Sequence, residues 1–177
     1  MIIVINGSFG VGKSSTAEAL TAVLPHAMIF DPEVVGQMVR YITNGVRSGP
    51  EETDDFQDIA MWRTLTVSTA EQLHGHYGRD LIIPMTIAVP DYFKEITEGL
   101  QTIDRDFHHF CLIASIPTIQ RRLAERADHE NPWIWTRVLR YVPLFEQPLY
   151  TEHIHTDDRS IQSVVDTILE CLAARRH

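Results

Sequence analysis

The chain has 177 residues and a mass of 20.2 kDa, which at roughly 150 residues per domain makes a single unit over 1–177. Hydrophobic residues at 44% and charged residues at 22% are ordinary globular usage, which excludes collagen, extended coiled coil and wholesale disorder. Fifteen basic residues against 24 acidic ones give a net charge of −9, which argues against nucleic-acid binding, where basic side chains on phosphates supply most of the affinity.

Residues 2–5 are all β-branched and apolar, as in a buried strand. Residues 14–24 read as a helix with Ala17, Leu20 and Val23 on one stripe. A short strand over 27–30 is stopped by Asp31-Pro32, and Pro32 suits the first position of a helix reaching about 41. Gly45, Gly49 and Pro50 mark 44–53 as exposed loop. The spacing of Phe56, Ile59, Trp62, Leu65 and Leu73 predicts a long helix over 54–74. Next come an apolar strand over 81–85, a helix over 90–100, a strand over 107–114 and a helix over 118–126. A break at 128–132 precedes a helix over about 133–141, a last strand over 153–156 and a last helix over 160–174. Strands alternating with helices imply βαβ units. The expected fold is α/β: a doubly wound, three-layer domain with a five-stranded parallel sheet and helices on both faces.

Cys111 and Cys171 are the only cysteines, too few for a disulfide framework or a four-cysteine zinc site. The nine histidines show no zinc spacing with a third ligand nearby. Residues 1–5 carry no basic leader, and no apolar run nears the ~20 residues of a spanning helix. A cytoplasmic protein is expected, with no transmembrane segment.

Gly7-Ser8-Phe9-Gly10-Val11-Gly12-Lys13-Ser14 matches the phosphate-loop pattern G-x-x-x-x-G-K-[ST]. Each residue type has a reason. The loop wraps a phosphate with backbone N–H groups, and Gly7, Gly10 and Gly12 permit the curl and the close approach. The N–H groups of Val11 and Ser15 belong to the same cradle. The helix that follows brings its N-terminal dipole to the anion. Lys13 reaches the β- and γ-phosphates, and the Ser14 hydroxyl is suited to Mg²⁺. The β-branched strand before the loop and the amphipathic helix after it supply the context the pattern requires.

With this loop the chain resembles the P-loop kinase-like group, which includes shikimate kinase and antibiotic phosphotransferases. Asp31 closing the second strand, an arginine-bearing helix with Arg121, Arg122 and Arg126, and Thr156-Asp157 leading into the last helix all fit. Within that group the chain resembles the tunicamycin-resistance protein family. The resemblance rests on Asp31-Pro32-Glu33, Asp54-Asp55-Phe56-Gln57, Trp62-Arg63, Pro84-Met85-Thr86-Ile87, Tyr92-Phe93, His108-His109-Phe110, Ala114-Ser115, Arg122-Leu123 with Arg126, and His153-Ile154 with Thr156-Asp157. It implies ATP binding and resistance to a lipophilic nucleoside antibiotic.

The resemblance also implies roles. Asp31 would hold the acceptor hydroxyl or act in the Mg²⁺ shell, although Asp before Pro is equally a helix cap. Arg121, Arg122 and Arg126 would clamp phosphates or stack on adenine from a lid over 118–142, or else form a solvated face with Glu125 and Asp128; Arg137 and Arg140 could belong to the same lid. Trp62 is core or ligand contact. Arg63, a charge inside an apolar stripe, needs a partner, with Asp31, Asp55 or a bound phosphate as candidates. Thr86 stands where a P-loop protein ordinarily carries a strand-end Asp. On the residues themselves, Phe56, Met61, Trp62, Met85, Tyr92 and Phe93 could line an apolar acceptor pocket or be ordinary core.

Three functions follow as expectations. The first is Mg·ATP-dependent phosphotransfer to a hydroxyl of a small-molecule acceptor, with tunicamycin as the candidate. In it Lys13, Asp31, Arg122 and Arg126 act catalytically, and Asp31, Phe56, Trp62, Arg63 and Thr86 meet the acceptor. The second is ATP-dependent sequestration of the antibiotic without chemistry, which the missing strand-end Asp favours. The third is an ordinary nucleoside or nucleotide kinase.

Overall fold

The computed structural model describes residues 1–125 and 131–175. Five strands, β1 (Ile2–Gly7), β2 (Ala27–Ile29), β3 (Asp80–Pro84), β4 (Phe107–Ile113) and β5 (His153–His155), form one sheet in the order β2-β3-β1-β4-β5. Every pairing is parallel. Seven helices connect and cover them: α1 (Lys13–Val23), α2 (Pro32–Ile42), α3 (Ala60–Tyr77), α4 (Pro90–Ile103), α5 (Ile116–Glu125), α6 (Pro132–Phe145) and α7 (Ile161–Arg175). The expected α/β architecture, with a five-stranded parallel sheet between helices, is present.

Both sheet faces are buried, which is why β1 is apolar at successive positions rather than alternately. Ile2 and Val4 enter the core under α2, α3 and α4, with Val39, Trp62 and Leu100. Ile3 and Ile5 enter the opposite core under α1 and α7, with Leu20, Val165 and Ile168. The period of two continues in β4, where Cys111 and Ile113 share the first core and Phe110 and Leu112 the second. Helix α6 contributes to both, through Tyr141 and Phe145 on one side and Val138 and Val142 on the other.

One long element differs from expectation. The helix predicted from residue 54 begins at Ala60, after a 3₁₀ turn at Phe56–Asp58. Local polar bonds compete with the helix there. Asp55 Oδ1 accepts from the Gln57 N–H at 3.1 Å, and the Thr53 hydroxyl accepts from the Asp55 N–H and donates to Asp58. The turn points the Phe56 ring at Gly36 and Trp62 instead of along the helix. Helix α6 also outruns its expected end at 141, passing through Pro143 to bury Val142 and Phe145.

Candidate functional site

The carboxyl ends of parallel strands are where an open α/β sheet leaves room for a ligand. At the end of β1 the chain must turn within residues 8–12 to start α1. A Cβ on Gly7, at φ +139°, would run into the Leu112 carbonyl oxygen, and Gly12 caps α1 in the left-handed conformation at φ +103°. The result is a curled loop ending on a helix N-terminus, whose first N–H groups have no intrahelical acceptor. Val11 contributes backbone only, since its side chain is buried in the α1-side core. Lys13 folds back over the loop, donating to the Ser8 carbonyl at 2.7 Å, with its ammonium 5.7 Å from the Phe9 ring.

The loop borders a polar cavity together with Asp31 and Glu33 from the start of α2 and Pro84 and Thr86 from the end of β3. Gly10, Gly12, Lys13 and Ser14 line it; Ser15 does not. Asp31 is exposed, and its Oδ1 accepts from the Glu33 N–H at 2.9 Å, so the capping role is present. Glu33 is exposed as well and lines the same cavity. Burial of its carboxyl group raises its pKa, Asp31 adds to the effect, and Lys13 opposes it.

A second, apolar cavity adjoins the first. Pro32, Phe56, Trp62, Met85, Ile87 and Trp133 form its walls, and Asp55, Gln57 and Arg137 supply polar edges. Phe9, Glu33 and Thr86 line both cavities. Trp62 is 2% exposed and anchors the floor: its indole N–H donates to the Pro32 carbonyl at 2.9 Å, and its ring packs on Phe56. It is thus core and cavity wall at once. The Thr86 hydroxyl is buried without a hydrogen-bond partner among the described residues, while its carbonyl accepts from Gln57 Nε2 at 2.8 Å.

The first turn of α6 closes the apolar cavity. The Trp133 ring meets Phe9 edge-on at 5.7 Å, and its indole N–H donates to Asp54 Oδ2 at 2.7 Å. The Arg137 guanidinium stacks on Trp133 at 3.6 Å and pairs with Asp54 at 3.2 Å and Asp55 at 3.4 Å. Burial works against the charge of Asp54, but the Trp133 bond and Arg137 outweigh it and lower its pKa.

Several expected placements are corrected. Arg63 meets neither Asp31 nor Asp55: its Nε donates to Glu95 at 2.6 Å, its Nη1 donates to the Gln57 carbonyl, and the guanidinium lies over Tyr92. Helix α3 turns that face toward α4, while Asp55 faces α6. Tyr92 and Phe93 are likewise outside the cavity. Tyr92 sits under Arg63 and donates to Asp58, and Phe93 packs on His109 and Tyr150. Met61 is 44% exposed. Arg122 does not point into the loop cavity. Its guanidinium donates to the Gly10 and Val11 carbonyls and to Thr156 at 2.6–3.4 Å, tying the outside of the loop to the end of β5. Arg121 is exposed, 4.0 Å from Asp158, and Arg140 lies at Tyr141. Arg126 lies outside the described residues.

The family profile described as AAA domain matches residues 2–137. The chain belongs to the AAA domain family. This AAA-domain chain superposes on the structure of the Deinococcus radiodurans tunicamycin resistance protein with a TM-score of 0.78 at 28% identity, over 97% of this chain and 95% of that one. The resemblance read from the residues therefore holds in three dimensions. A shikimate kinase from Acinetobacter baumannii, solved with shikimate, gives a TM-score of 0.67 at 14% identity over 98% and 93% of the two chains. A gluconokinase from Sinorhizobium meliloti 1021 gives 0.66 at 19% over 97% and 91%. At those identities the likeness is one of fold, a P-loop kinase-like fold. No curated protein matches the chain. No described helix is long and apolar enough to cross a membrane.

Glu33, Phe9, Gln57 and Trp133 border the site without having been singled out. Glu33 stands inside the Asp31-Pro32-Glu33 stretch that carries the resemblance, and Trp133 follows a Pro at a helix opening. Those were the available signals.

Proposed function

We propose that this chain is an ATP-dependent phosphotransferase acting on a hydroxyl of a nucleoside-type antibiotic or a similar small molecule, with tunicamycin the first acceptor to test. The observation that carries the reading is the pair of adjoining cavities, one polar and loop-lined, the other aromatic, sharing Phe9, Glu33 and Thr86. A donor phosphate and an acceptor hydroxyl in these cavities would meet at the shared wall.

The loop chemistry fits a nucleotide phosphate chain. A Cβ at Gly7 would collide with backbone, and the hollow has glycine N–H groups, an ammonium and a helix N-terminus as donors to anionic oxygen. In this reading Lys13 moves from the Ser8 carbonyl to the phosphates, and Ser14 is the Mg²⁺ ligand. The ion would offset charge on the phosphate oxygens. Asp31 stays on the donor side, and Arg121 and Arg126, in the lid segment over 118–142, are candidates for contact with the nucleotide. Arg122 supports the loop from behind. A cytoplasmic location, where ATP is supplied, belongs to the same reading.

The electrostatics of the apolar cavity favour an uncharged acceptor. Among the described residues its one arginine, Arg137, is already matched by Asp54 and Asp55, and Glu33 adds a further acid. A carboxylate or phosphate on the acceptor would meet net negative charge, which disfavours an ordinary nucleotide kinase. Sequestration without chemistry is the second reading. It is favoured by Thr86 standing after β3 in place of an acid.

Mass spectrometry of tunicamycin incubated with the protein and Mg·ATP separates them. Gain of one phosphate, lost in Lys13→Ala, is the expected result. Unchanged drug that co-purifies with the protein refutes transfer and leaves sequestration.

A further inference from the structure

Helix α2 ends beside a surface hollow of about 340 Å³ that shares no residue with the loop cavity or the apolar cavity. Its walls are Gln37, Arg40, Tyr41, Asn44 and Arg47. Each of these side chains can donate a hydrogen bond, two carry permanent positive charge, and none is acidic. Neither arginine forms an ion pair with an acid among the described residues. Arg47 donates from Nη1 to the Thr53 carbonyl at 3.2 Å, and its Nε is buried without a partner among the described residues. A buried donor left without an acceptor is costly. Glu52 and Asp54 line an adjoining hollow that also contains Arg40 and Arg47. Asp54, however, is taken up by Trp133 and Arg137, and Glu52 is exposed. Arg40 in the last turn of α2 also complements the helix dipole, but that duty does not call for Arg47. The carbonyls of Val39 and Tyr41 already accept from the Thr43 and Asn44 N–H groups, so the arginines are not needed as their donors.

We propose that this hollow is a second anion site, separate from the loop cavity, that takes a phosphate monoester carried on an apolar body. The site stands independently of the phosphotransfer reading. Two guanidinium forks with the neutral donors of Gln37, Tyr41 and Asn44 match a terminal phosphate, a dianion with three free oxygens, better than a carboxylate with two. The neighbouring surface supplies the apolar preference. Val34, Met38, Tyr41 and Ile42 recur along α2 at helical spacing and are exposed, as is Val46 just beyond the helix. They form a stripe distinct from the face of Val35, Gly36 and Val39, which packs inward. The chain as a whole, at a net charge of −9, repels anions at long range, so binding here depends on these local donors.

The test titrates isotope-labelled protein with phenyl phosphate and follows by NMR the backbone amide signals of residues 40–47, apart from those of the loop over 8–14. A parallel arm sediments the protein with phosphatidylcholine vesicles, with and without phosphatidate. Both arms compare wild type with Arg40→Gln, Arg40→Lys and Arg47→Gln, and the melting temperature of each is recorded. Saturable shifts at 40–47 are expected, with a Kd of about 1 mM or tighter. Arg40→Gln should weaken binding about tenfold and Arg40→Lys less, since the charge is kept and the fork lost. Arg40 is exposed, so Arg40→Gln should melt close to wild type, which separates lost binding from lost folding. Saturation by phenyl phosphate without arginine-dependent sedimentation bears out the site and makes its ligand soluble. Arginine-dependent sedimentation on phosphatidate bears it out with a lipid headgroup as the source. Absence of both overturns the proposal, as do shifts at 40–47 that persist unchanged in Arg40→Gln and Arg47→Gln.

Discussion

Replacing Gly36 by Ala sets two opposed effects against each other at the edge of the apolar cavity. Gly36 lies in the middle of α2 and is buried. Ala there should gain about 1 kcal/mol of helix propensity. The new Cβ, however, would stand 2.5, 2.7 and 2.8 Å from the Cγ, Cδ2 and Cδ1 atoms of Phe56, where carbon atoms ordinarily keep about 3.5 Å. The ring must withdraw by roughly 1 Å, starting from its root rather than its tip. Trp62 already packs on it, with ring centres 5.1 Å apart, and the free space it borders is the cavity. Overpacking of this kind costs about 1–3 kcal/mol. The expected net loss is up to about 2 kcal/mol, a fall in Tm of up to about 8 °C for a chain of this length. Tunicamycin affinity should drop more than ATP affinity. Thermal melts of wild type, Gly36→Ala, Phe56→Ala and the double variant check the cause. With the ring gone, Gly36→Ala should become stabilising by about 1 kcal/mol. A Gly36→Ala protein that melts higher than wild type, or the same shift in both backgrounds, would refute contact with Phe56 as the mechanism.

Three further outcomes follow. Asp54→Asn with Asp55→Asn should free Arg137 for an anion, so that uridine monophosphate gains about tenfold in affinity relative to uridine; equal affinities measured by calorimetry would show that the acids do not set charge selectivity. The Asp157 carboxylate is held at a pKa of about 2, burial being outweighed by bonds from Ser115 and Thr118 and by Arg122. Its folded value lies below the ordinary one, so its contribution is full above about pH 4 and is lost as pH falls toward 2; the stability gap between wild type and Asp157→Asn in urea titrations should close over that window. Gly7→Ala should yield little folded protein, because the left-handed backbone and the Leu112 carbonyl both oppose a side chain; a soluble variant with wild-type Tm would contradict the close approach.

What the sequence disclosed, and what it hid, follows from how far each feature depends on distant residues. The loop was legible because its pattern is local: glycines, Lys13 and Ser14 act through the backbone that contains them. The strands were legible because a doubly covered sheet demands unbroken apolar runs, as in Ile2 to Ile5. Arg63 and Arg137 show the opposite case. Arg63 reads as a charge in want of a partner and Arg137 as a residue of the lid; both have partners, but the expected acid lies elsewhere: Asp55 pairs with Arg137 of α6, while Arg63 reaches Glu95 of α4. Nothing within reach along the chain distinguishes these acids. The choice is made by the 3₁₀ turn at Phe56–Asp58, which faces Asp55 toward α6 instead of continuing α3. That turn in turn depends on Thr53 and Asp55 capturing nearby N–H groups, a competition that apolar spacing does not register. The same rotation sets Phe56 into the cavity wall and leaves Tyr92 under Arg63. A three-residue departure from helical geometry thus decides which arginine borders the apolar cavity, and with what net charge.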